Sequence, residues 1–179
     1  MKHWIQTYSG IEFELTTDKA KLLEQINLYD IAHALCHVHR YTGHTGIPIS
    51  VAAHSVGVAN LVKPKYRLAA LLHDAAEAYV GDVASPLRRY LCTQTGLYEE
   101  LHDAIREAVF DYVGLPPEIP AEVRKADAVM LHWEKEIFFA DNLNWNIPEP
   151  EWSMLPDTFI FQVNIEVEEF YAELQKVFQ

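Results

Sequence analysis

The run LAALLHDAAEAY at positions 68–79 is the feature that most limits what this chain folds into. Read at helical spacing, Leu68, Ala69, Ala70, Leu71, Leu72, Ala75, Ala76 and Ala78 cover most of a helix circumference. A helix that is apolar all round is buried on several sides, so the rest of the chain has to pack around it. Yet the same run carries His73, Asp74 and Glu77. Burying an ionised carboxylate costs on the order of several kcal/mol unless it is paired or bound to a cation. No lysine or arginine occurs between Leu68 and Pro86, so the compensating partner comes from another helix or from a metal ion.

The flanking sequence predicts an all-α bundle with a small N-terminal appendage. From His3 to Leu15, β-branched and aromatic residues flank Ser9-Gly10, which reads as a hairpin or two extended pieces. A helix follows over Leu28 to His39, with Asp30 supporting its start. Tyr41 to Pro48 reads as a loop, and Ser50 caps a helix that Pro64 stops. The buried helix then spans about Lys65 to Tyr79, and Gly81 ends it. Ser85-Pro86 opens a short helix through Leu91. Gly96 to Val113 is a long amphipathic helix with Glu99-Glu100 in its first turn, broken by Gly114-Leu115-Pro116-Pro117. Another helix covers Pro120 to about Ala140, Asn142 to Pro156 is irregular, and Thr158 to Gln179 resumes a helical pattern.

Length and charge narrow the function. The 179 residues are expected to form one domain, 1–179. Lysine and arginine number 14 against 26 acids, a net charge of −12 whose field repels phosphate backbones and anionic lipid. Neither nucleic acid nor membrane is an expected partner. Cys36 and Cys92 form no paired-cysteine motif and are expected as buried, reduced thiols. Met1 to Gly10 lacks the layout of a signal peptide, which places the chain in the cytoplasm.

The chemistry-bearing residues sit in apolar helices. His54 lies among Val51, Ala52, Ala53, Val56 and Val58, and Asp127 lies in the helical stretch KADAVML. With His73 and Asp74 they make a mixed nitrogen and oxygen set from three helices, suited to a divalent ion and leaving room for water or substrate. Glu77, one turn past His73, faces the same cavity, and Asp82 follows Gly81 at the helix end. Carboxylates just outside a metal shell take or deliver the proton of an activated water.

In order, His54, His73-Asp74 and Asp127 resemble the H…HD…D signature of the HD-domain metal-dependent phosphohydrolases, an all-helical fold. The string HDAAEAYVGD resembles the 5′-deoxynucleotidase branch. YSG at Tyr8, DIAHAL at Asp30, RYTGH at Arg40, SVAAHS at Ser50, LLHDAAEAYVGDVASPLRR at Leu71, GLPP at Gly114 and KADAVML at Lys125 extend the likeness over most of the chain. The set is similar to phage and prophage-type HD nucleotidases, including those that remove dATP. That resemblance implies His54, His73, Asp74 and Asp127 as ligands of one divalent ion, among Co, Mn, Zn, Mg, Fe and Ni. It implies Glu77 for proton transfer, Asp82 for orienting the attacking water, and Arg40 for gripping phosphate, a role that suits the guanidinium fork. Arg88 stands where these proteins often carry lysine and is a second expected phosphate contact, with Arg89 as the neighbouring choice. Tyr41, with Trp4 and Tyr79, offers a stacking surface for a base. The implied substrate is a small deoxynucleotide, a monophosphate or a triphosphate such as dATP, and the implied assembly is a homo-oligomer, in the host cytoplasm if phage-encoded. The alternative is a non-catalytic, metal-bound regulatory domain that senses nucleotides.

Overall fold

A computed structural model describes residues 3–139, 143 and 145–178. The architecture is mostly helical with a small two-stranded sheet at the N-terminus. Strands β1 (Trp4–Gln6) and β2 (Glu12–Glu14) pair antiparallel with Ile5 opposite Phe13. The Thr7–Ile11 turn closes them as the Ser9-Gly10 signal predicts. Helix α1 (Lys19–Gln25) is an addition to the expected set; the Asp18 side chain caps it by accepting from the amides of Ala20 and Lys21. In α2 (Leu28–His37) the cap is Asn27, not Asp30. Asp30 instead accepts from the Thr7 and Ser9 hydroxyls and the Ser9 amide, at 2.7, 2.6 and 2.9 Å, and so ties the hairpin loop to the bundle.

Ser50 caps α3 (Val51–Leu61) through the Ala53 amide, as its sequence position predicts. The expected single helix 65–79 is divided. A 3-10 turn (Pro64–Tyr66) leads into α4 (Arg67–Leu72), then tight turns at 73–76, then α5 (Glu77–Val80). His73 accounts for the break, because its Nδ1–H donates to the Ala70 carbonyl at 2.7 Å. In a regular helix that carbonyl would accept from the amide of Asp74. The following amides fall back on three-residue spacing, Ala75 to Leu72 and Glu77 to Asp74, each at 3.0 Å. The expected burial is present: Leu68 to Leu72, Ala75 and Ala76 all lie in the core, where α4 packs on α3, α7 and α9.

Helices α6 (Ser85–Gln94), α7 (Leu97–Tyr112) and α8 (Ala121–Phe138) fall where the sequence puts them. The proposed extension of α8 to Ala140 and the start of the irregular segment at Asn142 lie outside the described residues. The final helix, α9 (Val167–Phe178), begins nine residues later than Thr158. Over 159–165 the chain is neither helix nor strand; Phe159, Phe161 and Val163 are half-buried and Ile165 is buried, while the residues between them are exposed. That alternation is a period of two, not of helical spacing. Both aromatic rings pack on Trp133 of α8.

Cys36 and Cys92 form no disulfide and are half-buried rather than fully enclosed. Burial pushes the Cys36 thiol up to about 12. Among the described residues no helix is long and apolar enough to cross a membrane.

Candidate metal centre

Three elements converge on one point. His54 projects from the first turn of α3, His73 and Asp74 from the tight turns that follow α4, and Asp127 from α8. The Asp74 Oδ2 stands 3.2 Å from His73 Nε2 and 3.8 Å from His54 Nε2. Asp127 Oδ1 stands 3.1 Å from His54 Nε2 and 4.0 Å from His73 Nε2. His54, His73 and Asp74 offer ligand atoms that all lie within 4.8 Å of one another, a group that can hold a metal ion.

The hydrogen bonds of the two imidazoles set which nitrogen faces that point. A carbonyl only accepts, so His73 Nδ1 carries a proton toward Ala70 and Nε2 is turned to the cluster. This Nε2 is buried and makes no hydrogen bond, with Asp74 Oδ2 standing 3.2 Å away. A buried polar atom left without a partner costs about 1–3 kcal/mol, and a cation at the shared centre is the partner this donor set fits. His54 is arranged likewise, its Nδ1 2.8 Å from Glu134 Oε1 and its Nε2 toward the cluster. Burial and the Arg40 charge push this imidazole down, but the carboxylates of Glu134 and Asp127 outweigh them and bring it up to about 9. Burial works against the charge on Asp74 too, yet His73, His54 and Arg40 hold its carboxyl well below the usual range.

Glu134 is the residue that sequence reasoning passes over. It is 0% exposed and accepts from three donors: His54 Nδ1 at Oε1, and Arg40 Nε (3.0 Å) and the Tyr41 hydroxyl at Oε2. Burial raises its pKa, but the charges of Arg40 and His54 bring it down to about 2. A signal for it exists, since Glu134 lies seven residues after Asp127, two turns along the same face of α8. Arg40 is buried, with Nη1 3.7 Å from Asp74 Oδ2. It occupies a 3-10 turn (Arg40–Gly43) in which Tyr41 and Thr42 take positive φ of 58° and 54°. Such backbone costs of order 1–3 kcal/mol per residue and persists only where its surroundings hold it. Here the Tyr41 amide donates to Asp82 Oδ2 at 3.0 Å while its hydroxyl is held by Glu134.

Glu77 is buried with Oε2 unpartnered, and burial together with the charges of Asp74 and Asp82 raises its pKa well above the ordinary carboxyl value. Burial, then Asp74, also raises that of Asp82, against the Arg40 charge. Arg88 on α6 makes a two-pronged pair with Glu99, at 2.9 and 2.6 Å, so its guanidinium is already engaged. Arg89 is exposed. Of the three aromatic candidates, Tyr79 stacks on Phe13 at 3.7 Å inside the core and Trp4 is on the surface. Tyr41 meets Phe139 edge-on at 5.1 Å, beside Trp145.

The fold and site together define a helical protein with a histidine and aspartate cluster that can hold a metal ion. No family model matches the chain. It belongs to the family of the uncharacterized protein YfdR of Escherichia coli K12, to which it is 35% identical over 161 residues, 89% of this chain and 84% of the relative. An uncharacterized protein of Rhodobacter capsulatus is 38% identical over 132 residues, 69% of this chain and 64% of its own length.

Proposed function

We propose that the protein is a divalent-metal-dependent phosphohydrolase of the HD-domain type that releases phosphate from deoxynucleotides. The observation that carries this reading is the convergence of His54, His73 and Asp74, with a buried and unpartnered His73 Nε2 among them. Asp127 stands beside that group and would complete a set of two nitrogens and two oxygens around an ion; it is 43% exposed, which opens the cluster on that side. A bound divalent ion supplies Lewis acidity toward a phosphoryl oxygen and an acidified water.

The chain's own residues divide the remaining work. Glu77, whose carboxyl is pushed up by burial and by the charges of Asp74 and Asp82, is the group placed to carry a proton at the edge of the cluster. Asp82 is anchored by the Tyr41 amide and presents its other oxygen for orienting water. Arg40 spends Nε on Glu134 and keeps Nη1 beside Asp74, where charge on a transferring phosphoryl group would develop. The net charge of −12 does not oppose an anionic substrate at this point, because a bound ion and Arg40 would set the local field.

The test is phosphate release from deoxynucleoside monophosphates, ribonucleoside monophosphates and deoxynucleoside triphosphates, with Co, Mn, Mg or Zn added to stripped protein. Turnover by wild type and its loss in Glu77→Ala with metal binding retained is the expected result. Wild-type protein that binds metal and is inert across the panel would replace this reading with the nucleotide-sensing one.

A further inference from the structure

We propose that Glu134 is a positioning residue that joins the metal centre to the anion-binding arginine, so that the two form one unit and are not independent sites. The inference rests on the metal-site reading above. Its basis is a single carboxylate, fully enclosed by protein, that receives donors from two separate elements. One oxygen takes the His54 Nδ1 proton at 2.8 Å, while the other takes Arg40 Nε at 3.0 Å and the Tyr41 hydroxyl.

Each of these contacts has a directional consequence. A carboxylate can only accept, so His54 keeps its proton on Nδ1 when a cation takes the Nε2 lone pair. The ring is thereby fixed in the tautomer and orientation that the cluster needs, as outer carboxylates do for metal-ligating histidines generally. At the second oxygen, the contacts with Arg40 and Tyr41 pin a turn whose backbone is left-handed at Tyr41 and Thr42. That turn places the guanidinium Nη1 3.7 Å from Asp74 Oδ2. Glu134 touches neither the proposed ion nor the proposed substrate. It acts through His54 and Arg40.

Glu134→Gln separates this role from simple space-filling, because the amide keeps the shape but offers one acceptor oxygen and turns NH2 protons toward donors. Co(II) affinity of the stripped variant, read from the cobalt visible spectrum under chelator competition, is expected to fall roughly 10- to 100-fold. Inorganic phosphate should also bind the metal-loaded variant more weakly than wild type. Unchanged Co(II) affinity in a folded variant would overturn the inference. So would a fall in metal affinity with phosphate affinity intact, since the two halves would then be independent. A measurement on the native chain holds even if the variant fails to fold: in zinc-loaded wild type, nitrogen-15 NMR should show His54 bound through Nε2 with a hydrogen-bonded proton on Nδ1. Zinc on Nδ1 would overturn the proposal. Failure of wild type to bind any of the metals is a different result, since it removes the metal-site reading itself.

Discussion

Arg40 and Arg88 make similar ion pairs in very different surroundings. Arg40 bonds Glu134 where the two side chains are 10% and 0% exposed, whereas Arg88 bonds Glu99 where they are 32% and 42% exposed. By distance alone the Arg88 pair is the better one, at 2.6 Å for Nη2. Energetically the order reverses on removal of a partner. Water replaces a lost partner at Arg88, but nothing replaces it around Glu134. The difference between a buried charge network and a solvated pair therefore governs which substitutions in this protein are severe.

Four measurements would distinguish the buried network from the solvated pair. The largest effect is expected from His73→Ala, which removes the unpartnered Nε2; metal content after dialysis should fall to background and phosphate release should disappear with it. Retention of stoichiometric metal would show that the convergence of His54, His73 and Asp74 is not a binding site. Next, Arg40→Ala leaves Glu134 and Asp74 without their guanidinium, and should cost about 3–5 kcal/mol of stability in urea unfolding.

Third, the metal-free protein should show a pH profile set by the same network. Glu134 is brought below its ordinary carboxyl value to about 2, so its contribution is present above the unfolded pKa of about 4.3 and is lost as pH falls toward 2. His54 is brought up to about 9, so its contribution is complete below about 6.5 and is lost as pH rises through 9. Thermal melts of stripped protein should therefore peak between these limits, and Glu134→Gln should flatten the acid limb. A melt that stays level from pH 6 to 10 would contradict the His54 assignment. The smallest effect is expected from Arg88→Ala, within about 1 kcal/mol and shrinking further in added salt. A cost as large as that of Arg40→Ala would erase the contrast between the two pairs.

Local patterns made several parts of the molecule legible. Ser50 ahead of an apolar helix, proline at the start of α6 and the acidic first turn of α7 are signals contained within a few residues, and each element stands where they put it. The alternation of Phe159, Phe161, Val163 and Ile165 is an equally local signal, but the helical reading from Thr158 passes over it, and the helix begins only at Val167. The break at His73 was harder to see, because propensity favours a continuous helix through LAALLHDAAEA and only the side-chain bond to Ala70 interrupts it.

By itself the sequence determined that an almost wholly apolar helix would be central and that His73 and Asp74 would need compensation there, because burial of an apolar surface and the cost of an unpaired charge depend on residue type and spacing. Tertiary structure alone decided what supplies that compensation. Arg40 and His54 stand beside Asp74, and Glu134 holds both of them from 94 and 80 residues away, separations across which no pattern within one helix reports a hydrogen bond. Packing of α3, α8 and the Arg40 turn around one enclosed carboxylate closes them, since in water each of these groups would be solvated separately.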